Sequence, residues 1–200
     1  MSKAIIFDFG GVLINLDFEA VPRALREWGA DPSDAFLQQL SRQYETGQIP
    51  TAGFLETASG RLGGVSGATL AEAWNAMILD LPESRVEFLE NLRDGGGYRL
   101  FLLSNTNALH MARVRERLGG PAYQRFTACF EGFYLSHEIG LRKPDPEIFR
   151  WVTGRHGLTP GDTLFIDDTA EHILGAQAIG LQTWHFQPGR DKITELLTRS

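Results

Sequence analysis

Three short apolar runs in this chain each stop on a polar side chain that can do chemistry. Residues 4–7 stop on Asp8, residues 98–103 on Ser104, and residues 163–166 on the pair Asp167 and Asp168. A fourth run, 129–135, leads through Ser136 into the loop 140–146, which carries Lys143. The chain has three lysines against sixteen arginines, so a lysine set between Arg142 and Pro144 asks for a reason. Each feature alone has an ordinary explanation: Asp-x-Gly-Gly is a turn sequence, and a serine or an Asp-Asp pair after a strand commonly caps a turn. In a parallel sheet, however, the carboxyl ends of the strands share one edge, and ligands bind in the crevice beyond it. Carboxylates, an ammonium, a hydroxyl and free backbone N–H groups on one edge suit a phosphoryl transfer assisted by Mg²⁺. That cation is hard, takes oxygen ligands, and is commonly held by one or two carboxylates plus a substrate phosphate. Lys143 and Ser104 would hold phosphate oxygens, and a carboxylate can act as nucleophile through an aspartyl-phosphate.

That edge exists only if the elements between the motifs build a parallel sheet. Helical patterns do alternate with the strands. They cover residues 83–93, closed by 94–97; residues 108–118, stopped by Gly119, Gly120 and Pro121; and residues 170–179, stopped by Gly180. Asp145 and Pro146 read as the cap and first residue of a helix running to residue 156, and residues 181–186 as a fifth strand. Strands alternating with helices of this length predict an α/β fold with a doubly wound parallel sheet.

Residues 15–83 have a different character. Strand-like runs vanish, and apolar residues recur at helical spacing: Val21, Leu25 and Trp28; Phe36, Leu37 and Leu40; Phe54, Leu55 and Leu62; Leu70, Trp74, Met77 and Ile78. Asp31-Pro32 and Thr51 read as helix starts, and Gly29, Gly47 and Gly63-Gly64 as stops. The expected organisation is an α/β core over residues 1–14 and 84–200, with an all-helical unit of its own core inserted at 15–83. Tyr44, Glu45, Trp74 and Asn75 are its members to watch for contact with a substrate.

Composition removes several classes of function. A net charge of −6 leaves no basic footprint for nucleic acid, and no run of about 18 apolar residues offers a membrane span. Hydrophobic residues at 42% and charged residues at 22% are ordinary for a chain that buries a sizeable core. The start goes directly into a strand without a leader-like pattern, and the single cysteine, Cys129, set among Ala128 and Phe130, reads as a buried apolar residue. A cytoplasmic protein, monomeric or homodimeric, is expected.

Taken together the four motifs resemble the haloacid dehalogenase superfamily, and the resemblance spans the whole chain. Asp8-Phe9-Gly10-Gly11-Val12-Leu13 is similar to its first motif and Leu103-Ser104-Asn105-Thr106 to its second. The run from Arg142 through Lys143-Pro144-Asp145-Pro146 to Phe149 is similar to its third, and Phe165-Ile166-Asp167-Asp168 to its fourth. Residues 44–49, 73–77 and 103–107 further resemble a group of bacterial sugar-phosphate phosphatases that includes the alpha-D-glucose-1-phosphate phosphatase.

The resemblance implies a Rossmann-like three-layer core, with residues 15–83 as a helical cap closing over the substrate. It implies that Asp8 attacks phosphorus and ligates Mg²⁺, with the Gly10 carbonyl as a second ligand. Ser104 and Lys143 would hold the phosphate with help from the Asn105 backbone N–H, and Asp168 would bind the metal while Asp167 supports or joins it. His172 stands where many relatives carry Asp or Asn, so no metal role passes to it. The reaction implied is Mg²⁺-dependent hydrolysis of a small phosphorylated metabolite, a sugar phosphate such as glucose 1-phosphate. One departure matters: most phosphatases of the superfamily carry a second aspartate, the general acid and base, where this chain has Gly10. A positioned acid or base contributes roughly 10²- to 10⁴-fold. A hemiacetal leaving group needs protonation less, and water or a residue of the inserted unit, Glu45 being the candidate, would handle the proton. Two alternatives follow from the same departure: a metal-independent 2-haloacid dehalogenase, or a catalytically impaired phosphate-binding protein.

Overall fold

The first strand, β1 (Ala4–Phe7), is buried at every residue, and a strand apolar on both faces must be covered on both. In the computed structural model, which describes residues 4–95 and 97–198, it accordingly lies at the centre of the sheet. Residues 1–3, 96, 199 and 200 lie outside the described residues, Gly96 of the expected helix stop among them. The other strands are β2 (Arg99–Ser104), β3 (Gly132–Leu135), β4 (Thr163–Asp167) and β5 (Gln182–His185). Their order is β3-β2-β1-β4-β5, and every pairing is parallel. This is the α/β architecture expected from the sequence. Phe7 stands opposite Leu102 on one side and Ile166 on the other, and the Asp8 N–H donates to the Ile166 carbonyl at 2.8 Å. Asp8, Ser104 and Asp167 therefore reach the same edge.

Alternate strand residues feed two apolar layers. Ile5, Phe7, Leu100, Leu102 and Ile166 pack on one face with α5 (Glu83–Asp94), α6 (Ala108–Leu118) and α7 (Gly120–Thr127). Ile6, Phe101, Leu103 and Phe165 pack on the other with α9 (Pro146–His156) and α10 (Ala170–Gln177). Cys129 is buried in the first layer, as expected.

Helices α1 (Ala20–Glu27), α2 (Ala35–Glu45), α3 (Thr51–Arg61) and α4 (Gly67–Asn75) fill the segment between β1 and α5 and share a third cluster. Leu25, Leu40, Phe54 and Leu70 form its centre, and Tyr44 stacks on Phe54 with ring centroids 4.5 Å apart. Two residues of the helical stripes lie elsewhere. Met77 and Ile78 pack with the sheet-side layer, because residues 15–17 pair with residues 77–80: Asn15 N–H to Asp80 O at 2.8 Å, and Asp17 N–H to Met77 O at 2.9 Å. Phe36 stays exposed on the outer side of α2.

Local chemistry corrects other boundaries. α2 begins at Ala35, after the expected start at Asp31-Pro32, because the Asp34 carboxylate caps the Phe36 and Leu37 N–H groups. Gly119 does end α6, but Gly120 and Pro121 open α7, since proline is tolerated in a first turn. The expected strand at 129–135 shrinks to Gly132–Leu135 because α7 and its turn take the residues before it. A single-turn helix, α8 (Ser136–Ile139), precedes the lysine loop.

Candidate active site

At the sheet edge, Lys143 is fully buried between two carboxylates. Its Nζ donates to Asp8 Oδ1 and to Asp167 Oδ2, each at 2.6 Å, and lies 5.4 Å from the centre of the Phe165 ring. Burial alone would depress this lysine, but Asp167 and Asp8 outweigh it and hold the ammonium above its ordinary range. The loop that delivers it is clamped by Asn105: the Lys143 N–H donates to Asn105 Oδ1, and Asn105 Nδ2 donates to the Lys143 carbonyl, both at 2.9 Å. Asn105, singled out for its backbone N–H, thus has a side chain committed to placing the lysine. Asp145 accepts from the Glu147 N–H as the expected cap of α9, which fixes the far end of the loop.

Adjacent in sequence, Asp167 and Asp168 face different surroundings. Asp167 is inaccessible to solvent and accepts from Lys143, from the Thr169 N–H at 2.8 Å and from His172 Nδ1 at 2.9 Å. Burial would raise this acid, yet Lys143 and His172 pull it down to about 2. Asp168 lines the cavity, and burial and its neighbour Asp167 raise its carboxyl. Gly11 has φ +72°, and a Cβ there would lie 2.3 Å from Asp168 Oδ2, so both the turn and the close approach of this acid require glycine. His172, expected to have no metal role, sits in the site as a partner of Asp167.

Asp8, Asp167 and Asp168 each offer an oxygen within 4.8 Å of the others. Burial and repulsion from Asp167 and Asp168 outweigh Lys143 and push Asp8 up to about 7. The edge therefore carries more negative charge than one ammonium balances, and all of it on hard oxygen donors. Such a donor set fits a divalent cation of the Mg²⁺ type. Asp167, with both oxygens already accepting hydrogen bonds, is the least available of the three.

The edge opens into a cavity of about 380 Å³. Asp8, Gly10, Ser104, Asn105 and Asp168 form its floor, while Phe18, Val21, Glu45 and Trp74 from the helical insertion form the opposite wall. Of the candidates named there for substrate contact, Glu45 and Trp74 line the cavity; Tyr44 and Asn75 are buried instead. Tyr44 accepts from the Leu109 N–H at 3.1 Å, and Glu45 pairs with Arg142 Nη2 at 3.1 Å, next to Lys143 in the chain.

A third link between insertion and sheet escaped the sequence reading. His110 is buried, its Nε2–H donating to the Trp74 carbonyl at 3.1 Å while Nδ1 accepts from Asn107 Nδ2 at 3.1 Å. The signal for it was Asn107, a capping residue three positions before a histidine on the same turn. Burial pushes His110 down to about 4, so the folded protein holds it neutral. An unfolded chain protonates a histidine near pH 6.5, so this group costs stability as pH falls from about 6.5 until the folded form also protonates near 4. The difference amounts to about 3 kcal/mol. Urea unfolding of wild type should show that loss over this window, and the slope should flatten in His110→Gln.

Comparison with known proteins bears on the same residues. Residues 2–180 match the family model for haloacid dehalogenase-like hydrolases. A D-ribitol-5-phosphate phosphatase of Bacteroides thetaiotaomicron is 27% identical over 98% of this chain and 97% of its own length. A sesquiterpene phosphatase of Aspergillus oryzae is 26% identical over 92% of this chain and 89% of its own. Among solved structures, a magnesium complex of a HAD family enzyme from Bacteroides thetaiotaomicron is 33% identical, covers 99% of both chains and superposes with a TM-score of 0.86. That enzyme bound to magnesium and inorganic phosphate is 33% identical, covers both chains fully and gives a TM-score of 0.83.

Proposed function

Because this chain belongs to the haloacid dehalogenase-like hydrolases, we propose that it is a Mg²⁺-dependent phosphatase of a small phosphorylated metabolite, with Asp8 as nucleophile. The observation that carries the reading is Lys143 buried between Asp8 and Asp167, with Asp168 beside them on the cavity floor. Two carboxylates keep that ammonium charged and fixed at the edge where Asp8 and Asp168 line the cavity. Phosphatase relatives that cover nearly the whole chain support the reaction class. The substrate we favour is a sugar phosphate such as glucose 1-phosphate.

In this mechanism Asp8 attacks phosphorus, forming an aspartyl-phosphate and expelling the leaving oxygen, and water then hydrolyses the acyl phosphate. Lys143 holds the phosphate oxygens from the Asp8 side, Ser104 and the Asn105 N–H from the β2 side. Asp167 fixes Lys143 and His172 in place. Asp8, Asp168 and the Gly10 carbonyl would hold the cation. When bound, it supplies neutralisation of the phosphate and orients its oxygens. The helical insertion acts as a cap that shields the phosphoenzyme, with Glu45 and Trp74 facing the leaving group. A cytoplasmic location is part of the proposal; among the described residues no helix is long and apolar enough to cross a membrane.

The test joins turnover to binding. Phosphate release from a panel of sugar, sugar-alcohol and aryl phosphates should vanish with chelator and return with Mg²⁺. Independently of turnover, Mg²⁺ at about a hundred times its Kd should stabilise the protein by about 2.7 kcal/mol, some 5–10 °C in Tm, and this shift should be lost in Asp168→Asn. Metal-independent release, or chloride release from a 2-haloacid, would overturn the reading.

A further inference from the structure

We infer that a second chamber beside the catalytic cavity binds an anionic group at the far end of the substrate. The phosphoesters cleaved most efficiently then carry a carboxylate or a further phosphate on the leaving group. The inference rests on the phosphatase reading and adds to it a subsite and a substrate class.

The chamber has a volume of about 270 Å³ and lies between α1, α2 and the loop that delivers Lys143. It shares Val21, Ser41, Glu45 and Trp74 with the cavity over Asp8, so the two volumes adjoin along one stretch of wall. Their remaining walls differ in charge. The cavity floor carries Asp8 and Asp168, whereas among the described residues the ionisable side chains lining the chamber are Arg42, Glu45 and Arg142. By formal charge that lining holds one cation in excess of its anion. Arg42 supplies the excess: it is exposed, and its guanidinium has no ion-pair partner among the described residues.

The donors of this lining are incompletely used. Arg142 commits Nη2 to Glu45 at 3.1 Å, but its Nε, out of solvent contact, has no hydrogen-bond partner. Trp74 Nε1 is in the same condition. A buried N–H left unpaired has given up its hydration without return, and native structures seldom tolerate it. Two such donors on residues of one chamber, beside an unpaired guanidinium, call for acceptor oxygens from outside the chain. The fork of N–H groups on a guanidinium matches the paired oxygens of a carboxylate or a phosphate.

The chain also fixes where that second anion sits. Arg142 directly precedes Lys143, which holds the phosphate to be cleaved, so a single loop serves both ends of the ligand. Asn105 clamps the backbone of Lys143 and Glu45 secures the side chain of Arg142, which sets the spacing between the two groups. An anion in the chamber touches no reacting atom. It is bound equally in the ground state and the transition state, so its contribution falls on KM and not on kcat.

The experiment compares kcat/KM for three phosphoesters of one polyol chain, ending opposite the scissile phosphate in a hydroxyl, a carboxylate or a second phosphate. A charged end should raise kcat/KM over the hydroxyl by about 10- to 100-fold, the size of a charge-assisted hydrogen bond, and through KM. Preference for only one of the two charged ends supports the subsite and names its anion. Arg42→Gln should lower the ratio of charged to neutral substrate, and Glu45→Gln, which releases Arg142, should raise it. Reading each variant as a ratio cancels any loss common to all three substrates. Equal kcat/KM for the three chains, or a ratio that neither variant moves, would overturn the subsite and leave the phosphatase standing. Absence of release from all three and from an aryl phosphate would instead remove the phosphatase reading itself.

Discussion

Asp8→Asn should lower kcat by about 10⁴-fold or more, whatever the phosphoester, and no phosphoenzyme should be trapped on rapid acid quench. The substitution keeps the shape and removes the nucleophilic oxygen, and loss of a covalent nucleophile has effects of this size because no other step substitutes for it. Its effect on stability should have the opposite sign. The folded protein holds Asp8 near 7, well above its unfolded value of 3.8, because burial and the two neighbouring acids oppose its charge. A raised carboxyl costs its full penalty above the folded value, and the penalty shrinks as pH falls from there until it vanishes below the unfolded value. In chelator, the asparagine variant should therefore be at least as stable as wild type at pH 8, and the advantage should shrink below pH 7. Urea melts at pH 8 and pH 6 check the second half, and phosphate release the first. A variant that is both inactive and strongly destabilised at pH 8 would show that Asp8 serves the fold.

The sequence carried the sheet edge because burial on both faces is written directly into composition. A run such as Ile5-Ile6-Phe7 has no polar side to turn outward, so its strand is central and its terminal carboxylate is at the edge. What could not be read was the division of labour between Asp167 and Asp168. On β4, Phe165 and Asp167 share a face by the two-residue period, and the Lys143 ammonium lies against both. Only the path of the lysine loop, whose Lys143 stands 24 residues before Asp167 and on that side of the sheet, decides which acid it meets. The clamp by Asn105 was hidden for the same reason: a side-chain amide holding both backbone groups of Lys143 is a tertiary contact over 38 positions. α7 is not legible in the sequence because glycine and proline after a helix read equally as a stop and as a new first turn. Phe36 fits a core stripe by spacing yet faces outward, because helical spacing gives the stripe but not its width.

Lys143→Met should cost both fold and reaction, and the two losses can be separated. The thioether is close in length, so packing changes little, but Asp8 and Asp167 are left without their cation in a site that excludes solvent. Removing one partner of a buried charge cluster costs about 3–5 kcal/mol. The two acids escape part of this by taking up protons, so their folded values rise, and the deficit should be largest at pH 8 and narrow toward pH 5. Asp167→Asn on top of Lys143→Met removes one of the stranded charges and should recover a good part of the stability. It should recover none of the activity, because the phosphate oxygens still lack their ammonium, an electrostatic contribution of the order of 10²–10³-fold in kcat. Lys143→Arg should fail as well: a planar guanidinium needs volume and several acceptors where a point charge now sits 2.6 Å from two oxygens. Equilibrium unfolding across pH, alongside phosphate release, distinguishes these outcomes. If the double variant regained turnover along with stability, Lys143 would be a structural counter-ion and its hold on phosphate would be refuted.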